Sequence, residues 1–104
     1  MLIGFSLPKP DLRTVRLIKH ALHQVLQLQK GVVITLSELA CLEVDCAAVE
    51  SVFGLLRPNQ APLQHKIHKS IEDITADDLV DVSTQWGFKT QSSDFEPFFK
   101  TTHP

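Results

Sequence analysis

Residues 49–69 run Val49-Glu50-Ser51-Val52-Phe53-Gly54-Leu55-Leu56-Arg57, then Pro58-Asn59-Gln60-Ala61-Pro62, then Leu63-Gln64-His65-Lys66-Ile67-His68-Lys69. Val49 to Arg57 has strand character, and Val49, Ser51, Phe53 and Leu55 fall on one face because strand side chains alternate. The five middle residues are turn formers with a proline at each end. Leu63 to Lys69 resumes an extended run. The stretch predicts a hairpin, and a hairpin with an apolar face must be covered by another layer.

Ahead of the hairpin, Val32-Val33-Ile34-Thr35-Leu36 is a β-branched run and predicts a first strand. The following Ala40–Ala48 has no clear period and is expected to be a structured loop, with room for one helical turn. Further upstream, apolar residues at 12, 15, 18, 22, 25 and 26 have helical spacing, so Leu12–Gln29 predicts an amphipathic helix. Asp11 can cap its start, and Gly31 is expected to cap its end. Residues 1–9 carry Pro8 and lead into Pro10, which suits an edge strand or an arm and not a central strand.

Downstream, Thr75 is placed to cap a second helix. Asp78 stands in the capping-box position, and Ile74 and Leu79 stand in the hydrophobic-staple positions. Leu79, Val82, Ser83 and Trp86 share a face, and Gly87 is placed to stop the helix. The expected fold is α+β: a three-stranded antiparallel meander packed against two helices, in the order α-β-β-β-α. One domain is expected over 1–89, with a C-terminal tail over 90–104. The tail holds Phe95, Phe98 and Phe99, which are expected to fold back onto the sheet, since exposed aromatic clusters are a liability.

The 104 residues match one compact domain. At 43% hydrophobic and 21% charged, the composition is that of a globular chain, not a disordered one. No apolar stretch is long enough to predict a membrane span, and the start lacks the pattern of a signal peptide. Two cysteines are too few for a disulfide scaffold, so a cytoplasmic location is expected. The net charge of −2 is unevenly spread: residues 1–37 hold five bases and one acid (+4), and residues 38–104 hold five bases and eleven acids (−6). Internal complementarity, or separate attraction of differently charged partners, follows from such a split.

The chemically richest residues are Cys41 and Cys46, with Glu38 beside them and His65 and His68 beyond. Two thiols and two imidazoles match the ligand chemistry of zinc. On a strand, however, His65 and His68 face opposite sides, so only one of them is able to join the thiols. The candidate metal set is Cys41, Cys46, Glu38 and His65, with Glu50 as an alternative to Glu38. Glu38, Glu43 and Asp45 disfavour a reactive thiolate, which counts against a redox role. His20 and His23 are three apart on the first helix, with no thiol or carboxylate close in sequence. Glu72-Asp73 and Asp77-Asp78 are explained by helix capping and the helix dipole. No phosphate-binding glycine loop, nucleophile elbow or metalloprotease motif is present.

Ser37-Glu38-Leu39-Ala40-Cys41, Cys46, Val49-Glu50 and Lys66-Ile67-His68-Lys69 together resemble a group of small uncharacterised bacterial proteins, over roughly residues 32 to 81. That resemblance implies a single bacterial domain and brings no activity with it. The α-β-β-β-α order also resembles the double-stranded-RNA-binding domain. There the resemblance implies a first helix on the minor groove, where Arg13, Arg16 and Lys19 supply charge, and a basic second-helix start on phosphates. Here that start is Thr75-Ala76-Asp77-Asp78, which repels phosphate.

The sequence is therefore expected to encode a small non-enzymatic accessory or protein-interaction domain. Its candidate contact residues are Arg13, Arg16 and His20 on the first helix and Phe95, Phe98 and Phe99 in the tail. The partner is expected to be another protein, with nucleic acid disfavoured and no membrane involved. The alternatives are a thiol-dependent zinc binder at Cys41 and Cys46, and an RNA-binding module.

Overall fold

The computed structural model describes residues 12–40 and 49–100. Of the loop expected over Ala40–Ala48, Ala40 instead ends a strand, and the rest, with Cys41 and Cys46, lies outside the described residues, as do residues 1–9 and Asp11. Helix α1 spans Leu12–Val25, strand β1 Val33–Ala40, β2 Val49–Leu56 and β3 Leu63–Ile67. A 3-10 turn at Ile71–Asp73 leads into α2, Ala76–Gln85, and then α3, Ser92–Lys100. The sheet is an antiparallel meander in the order β1-β2-β3. The α+β order read from the sequence is thus the observed one, with one helix added at its end.

Register explains the burial. Leu36, Phe53 and His65 lie in one row across the sheet, and Ile34, Leu55 and Leu63 in the next. Residues opposite each other share a face, so these rows form the side that the helices cover. The core joins Ile18, Ala21 and Leu22 of α1 to Phe53 and Leu55, and to Leu79 and Val82 of α2. Each fully buried leucine or phenylalanine side chain contributes about 1.5–3 kcal/mol of transfer free energy.

Three tight turns close one end of the molecule. Helix α1 stops four residues before the predicted end: Gln27 adopts φ 51° and Leu28 N–H donates to His23 O at 3.1 Å. Together with Gln27 N–H to Gln24 O, this is a Schellman motif, built on glutamine and not on the expected Gly31. Gly31 belongs instead to the turn that enters β1. Helix α2 ends as predicted, with Gly87 at φ 94° and Phe88 N–H on Ser83 O at 2.9 Å. Between β2 and β3, Gln60 N–H donates to Arg57 O, and Asn59 has φ 62° after Pro58, the signature of a type II turn.

The start of α2 matches its reading. Asp78 N–H donates to Thr75 Oγ1 at 3.3 Å, and Thr75 N–H donates to Asp78 Oδ2 at 2.8 Å. Ile74 and Leu79 are both buried as the staple. Lys69 Nζ reaches the same Asp78 oxygen at 2.9 Å. Burial works to raise the Asp78 carboxyl, but the hydrogen bonds from Lys69 and Thr75 outweigh it and hold its pKa below the ordinary value.

The stretch expected as a tail contains α3. Phe95 is fully buried, and α3 packs chiefly on α1 and α2. The rings fold back, onto helices more than onto the sheet. Among the described residues, no helix is long and apolar enough to cross a membrane.

Candidate functional site

The metal candidates within the described residues are not brought together. Glu38 lies on β1 and His65 on β3, on the two sides of β2. Two strand spacings, roughly 9–10 Å, and a further offset of two residues along the strand separate their backbones, since the row of Glu38 passes through Ser51 and Ile67. Each side chain also has another task. The Glu38 carboxylate accepts the Ile71 N–H at 2.8 Å, which ties the chain after β3 back to β1. His65 Nε2 donates to Asp81 Oδ2 at 2.9 Å and joins β3 to α2. His68 is on the other side of the sheet, with Nδ1 3.1 Å from Glu50 Oε2. The strand expected over Leu63–Lys69 ends at Ile67, so His68 lies past it, and the two imidazoles meet different carboxylates, Asp81 of α2 and Glu50 of β2. Cys41 and Cys46 lie outside the described residues, and no cluster of three metal-ligating side chains occurs among the described ones.

The expected contact face on α1 is present in part. Arg13, Arg16 and His20 are exposed. The His20 ring meets Phe98 edge-on, with centroids 5.8 Å apart, so this face continues onto α3. Phe98 and Phe99 are half-buried, while Phe95 is taken wholly by the core and presents nothing to a partner. On the same helix, His23 Nε2 donates to Val32 O at 3.0 Å and fixes the turn before β1. The start of α2 carries Asp77 and Asp78, the acidic pair that opposes phosphate binding.

No contact surface is expected on β1 from the sequence, yet this strand offers a second candidate. Among the described residues it is an end strand of the sheet, and its register with β2 runs unbroken from Val33 opposite Leu56 to Ala40 opposite Val49. Its eight residues include no Pro, Lys or Arg and no bulge, the devices that blunt an edge. Its one charge, Glu38, is occupied with Ile71. On the face away from the helices, Val33 is 50% exposed and Leu39 49% exposed, beside Leu56 at 41%. The other end strand is guarded: β3 has five residues, contains Lys66 and follows Pro62. The β-branched run is legible in the sequence. Its place at the edge of the sheet, among the described residues, follows only once the 49–69 hairpin has claimed the other two strands.

No family model, curated protein or solved structure matches this chain.

Proposed function

We propose that the chain is a non-catalytic protein-interaction domain that binds by adding a strand to β1. The observation that carries this reading is the eight-residue edge without Pro, Lys, Arg or a bulge, whose one charge, Glu38, is held by the Ile71 N–H. Backbone N–H and C=O groups along such an edge supply affinity, and alternate side chains supply register. The described histidines support the non-catalytic part. His23, His65 and His68 each join one segment to another, and His20 rests on Phe98. A cytoplasmic location goes with this reading, on the low cysteine count.

The partner that the residues favour is β1 of a second copy. Antiparallel pairing centred on Leu36 sets Val33 opposite Leu39 of the other copy, twice over, and Leu36 opposite Leu36. It therefore covers the two most exposed apolar side chains of the strand by a two-fold operation, as in an isologous dimer. Sedimentation velocity over a concentration series tests the proposal. The expected result is a dimer for the unaltered chain and a folded monomer for Ser37→Lys with Leu39→Lys, while Gln64→Lys on β3 leaves the dimer intact. A monomer at every concentration overturns the reading, as does a dimer that survives both lysines.

A further inference from the structure

A cleft of about 370 Å³ lies at the end of the molecule closed by the three tight turns. Leu28 and Phe88, the residues that follow the left-handed positions of α1 and α2, form two of its walls. Val32, Pro58 and Gln60 are among the other lining residues around Arg57. The size is at the small end of the range for ligand cavities, and the mixture of apolar walls with a few polar groups is also typical of them.

The charge chemistry of the cleft is one-sided. No Asp or Glu occurs in residues 12–37, 51–71 or 82–93, the stretches that supply its walls. Lys30 and Lys89 are exposed next to lining residues in sequence. The C-terminal carbonyls of α1 would oppose an anion here, but those of Leu22, His23 and Gln24 already accept from Leu26, Leu28 and Gln27. Among the described residues that line the cleft, Arg57 is the one that carries a charge. Its Nε is shut off from solvent and makes no hydrogen bond.

We propose that the cleft binds a small carboxylate with an apolar body, the carboxylate on the Arg57 guanidinium and the body against Leu28, Val32 and Phe88. The planar guanidinium fork matches a carboxylate in a bidentate way that a neutral group cannot match. The three turns fix the walls before the ligand arrives, so little ordering is needed on binding. This site is separate from β1 and stands whether or not β1 pairs.

Benzoate is the probe, titrated into the full chain and followed by amide chemical shifts. The expected result is a saturable shift centred on Leu28, Val32 and Phe88. Benzamide, of nearly the same shape but neutral, binds at least roughly tenfold more weakly, the loss expected for a charge-assisted hydrogen bond. Arg57→Gln weakens benzoate by a similar factor, and acetate, which lacks the apolar body, binds more weakly than benzoate. Three results overturn the proposal: no saturable shift with benzoate, equal affinity for benzamide in the unaltered chain, or unchanged benzoate affinity in a folded Arg57→Gln.

Discussion

The hydroxyl of Thr35 fills the space above Gly54. The two residues face each other across β1 and β2, and a Cβ added to Gly54 would stand 2.3 Å from Thr35 Oγ1. The next nearest atoms, Thr35 Cβ at 3.7 Å and Leu63 O at 3.9 Å, are at ordinary contact distance. One oxygen therefore decides which residue is allowed at the centre of the sheet.

Gly54→Ala alone is expected to destabilise the fold by about 1–3 kcal/mol, the usual cost of overpacking. With Thr35→Ala already in place, the same substitution changes sign. Alanine then gains about 0.5–1 kcal/mol over glycine in an extended segment, because glycine loses more freedom on folding. Urea unfolding of the four proteins of this cycle, with m unchanged, measures the reversal. A Gly54→Ala cost that persists without the Thr35 hydroxyl would show that another contact is responsible.

The Schellman turns offer a second pair of opposite signs. Gly87 has φ 94°, and a methyl group there would meet nothing within 4 Å, so Gly87→Ala isolates the backbone cost, about 1–2 kcal/mol. Gln27 bears a similar cost at φ 51°. Gln27→Gly is expected to stabilise by a few tenths of a kcal/mol up to about 1, after the entropy of the added glycine is deducted. Thermal melts of the two variants should move in opposite directions.

These turns also show where the sequence is legible. Gly87 and the Thr75–Asp78 capping box are local signals, readable because the residues that bond are three to five positions apart. The 49–69 hairpin is legible through its turn, where Gln60 N–H bonds Arg57 O three positions back. Gln27 carries no comparable signal: glutamine rarely takes a left-handed φ, and it does so here because β1 must turn back beneath α1. The last residues of β1 are hidden because Glu38 looks solvent-facing until Ile71 arrives from 33 residues away. Phe95 and its helix are hidden by Pro97, which argues against helix in isolation. The Arg57 cleft draws on three separate turns, and no single stretch of sequence contains it.

Asp78 makes stability depend on pH in a stated direction. Its carboxyl has a folded pKa below the unfolded one, so its contribution is present above the unfolded value and lost as pH falls through the folded value. With an unfolded value near about 3.9, the loss begins as the pH drops toward 4 and continues below it. Asp78→Asn keeps an acceptor for the Thr75 N–H but removes the charge facing Lys69. Stability curves of the two proteins should lie apart at neutral pH, with the unaltered chain higher, and converge in acid. Parallel curves down to acid would mean that another carboxylate carries the slope.

Whether α3 belongs to the cooperative unit turns on one ring. Phe95 is fully buried among α1, α2 and the core, while Phe98 is half-buried beside His20. If α3 folds together with the rest, Phe95→Ala leaves a cavity bounded by the main core and costs about 3–5 kcal/mol, a large part of the stability of a chain this size. Phe98→Ala, which removes only partly buried surface, should cost a fraction of that. The single tryptophan, Trp86, lies in the same core and reports global unfolding by fluorescence. A Phe95→Ala variant that unfolds at nearly the original urea concentration would mean that α3 opens on its own, before the sheet and α1 give way.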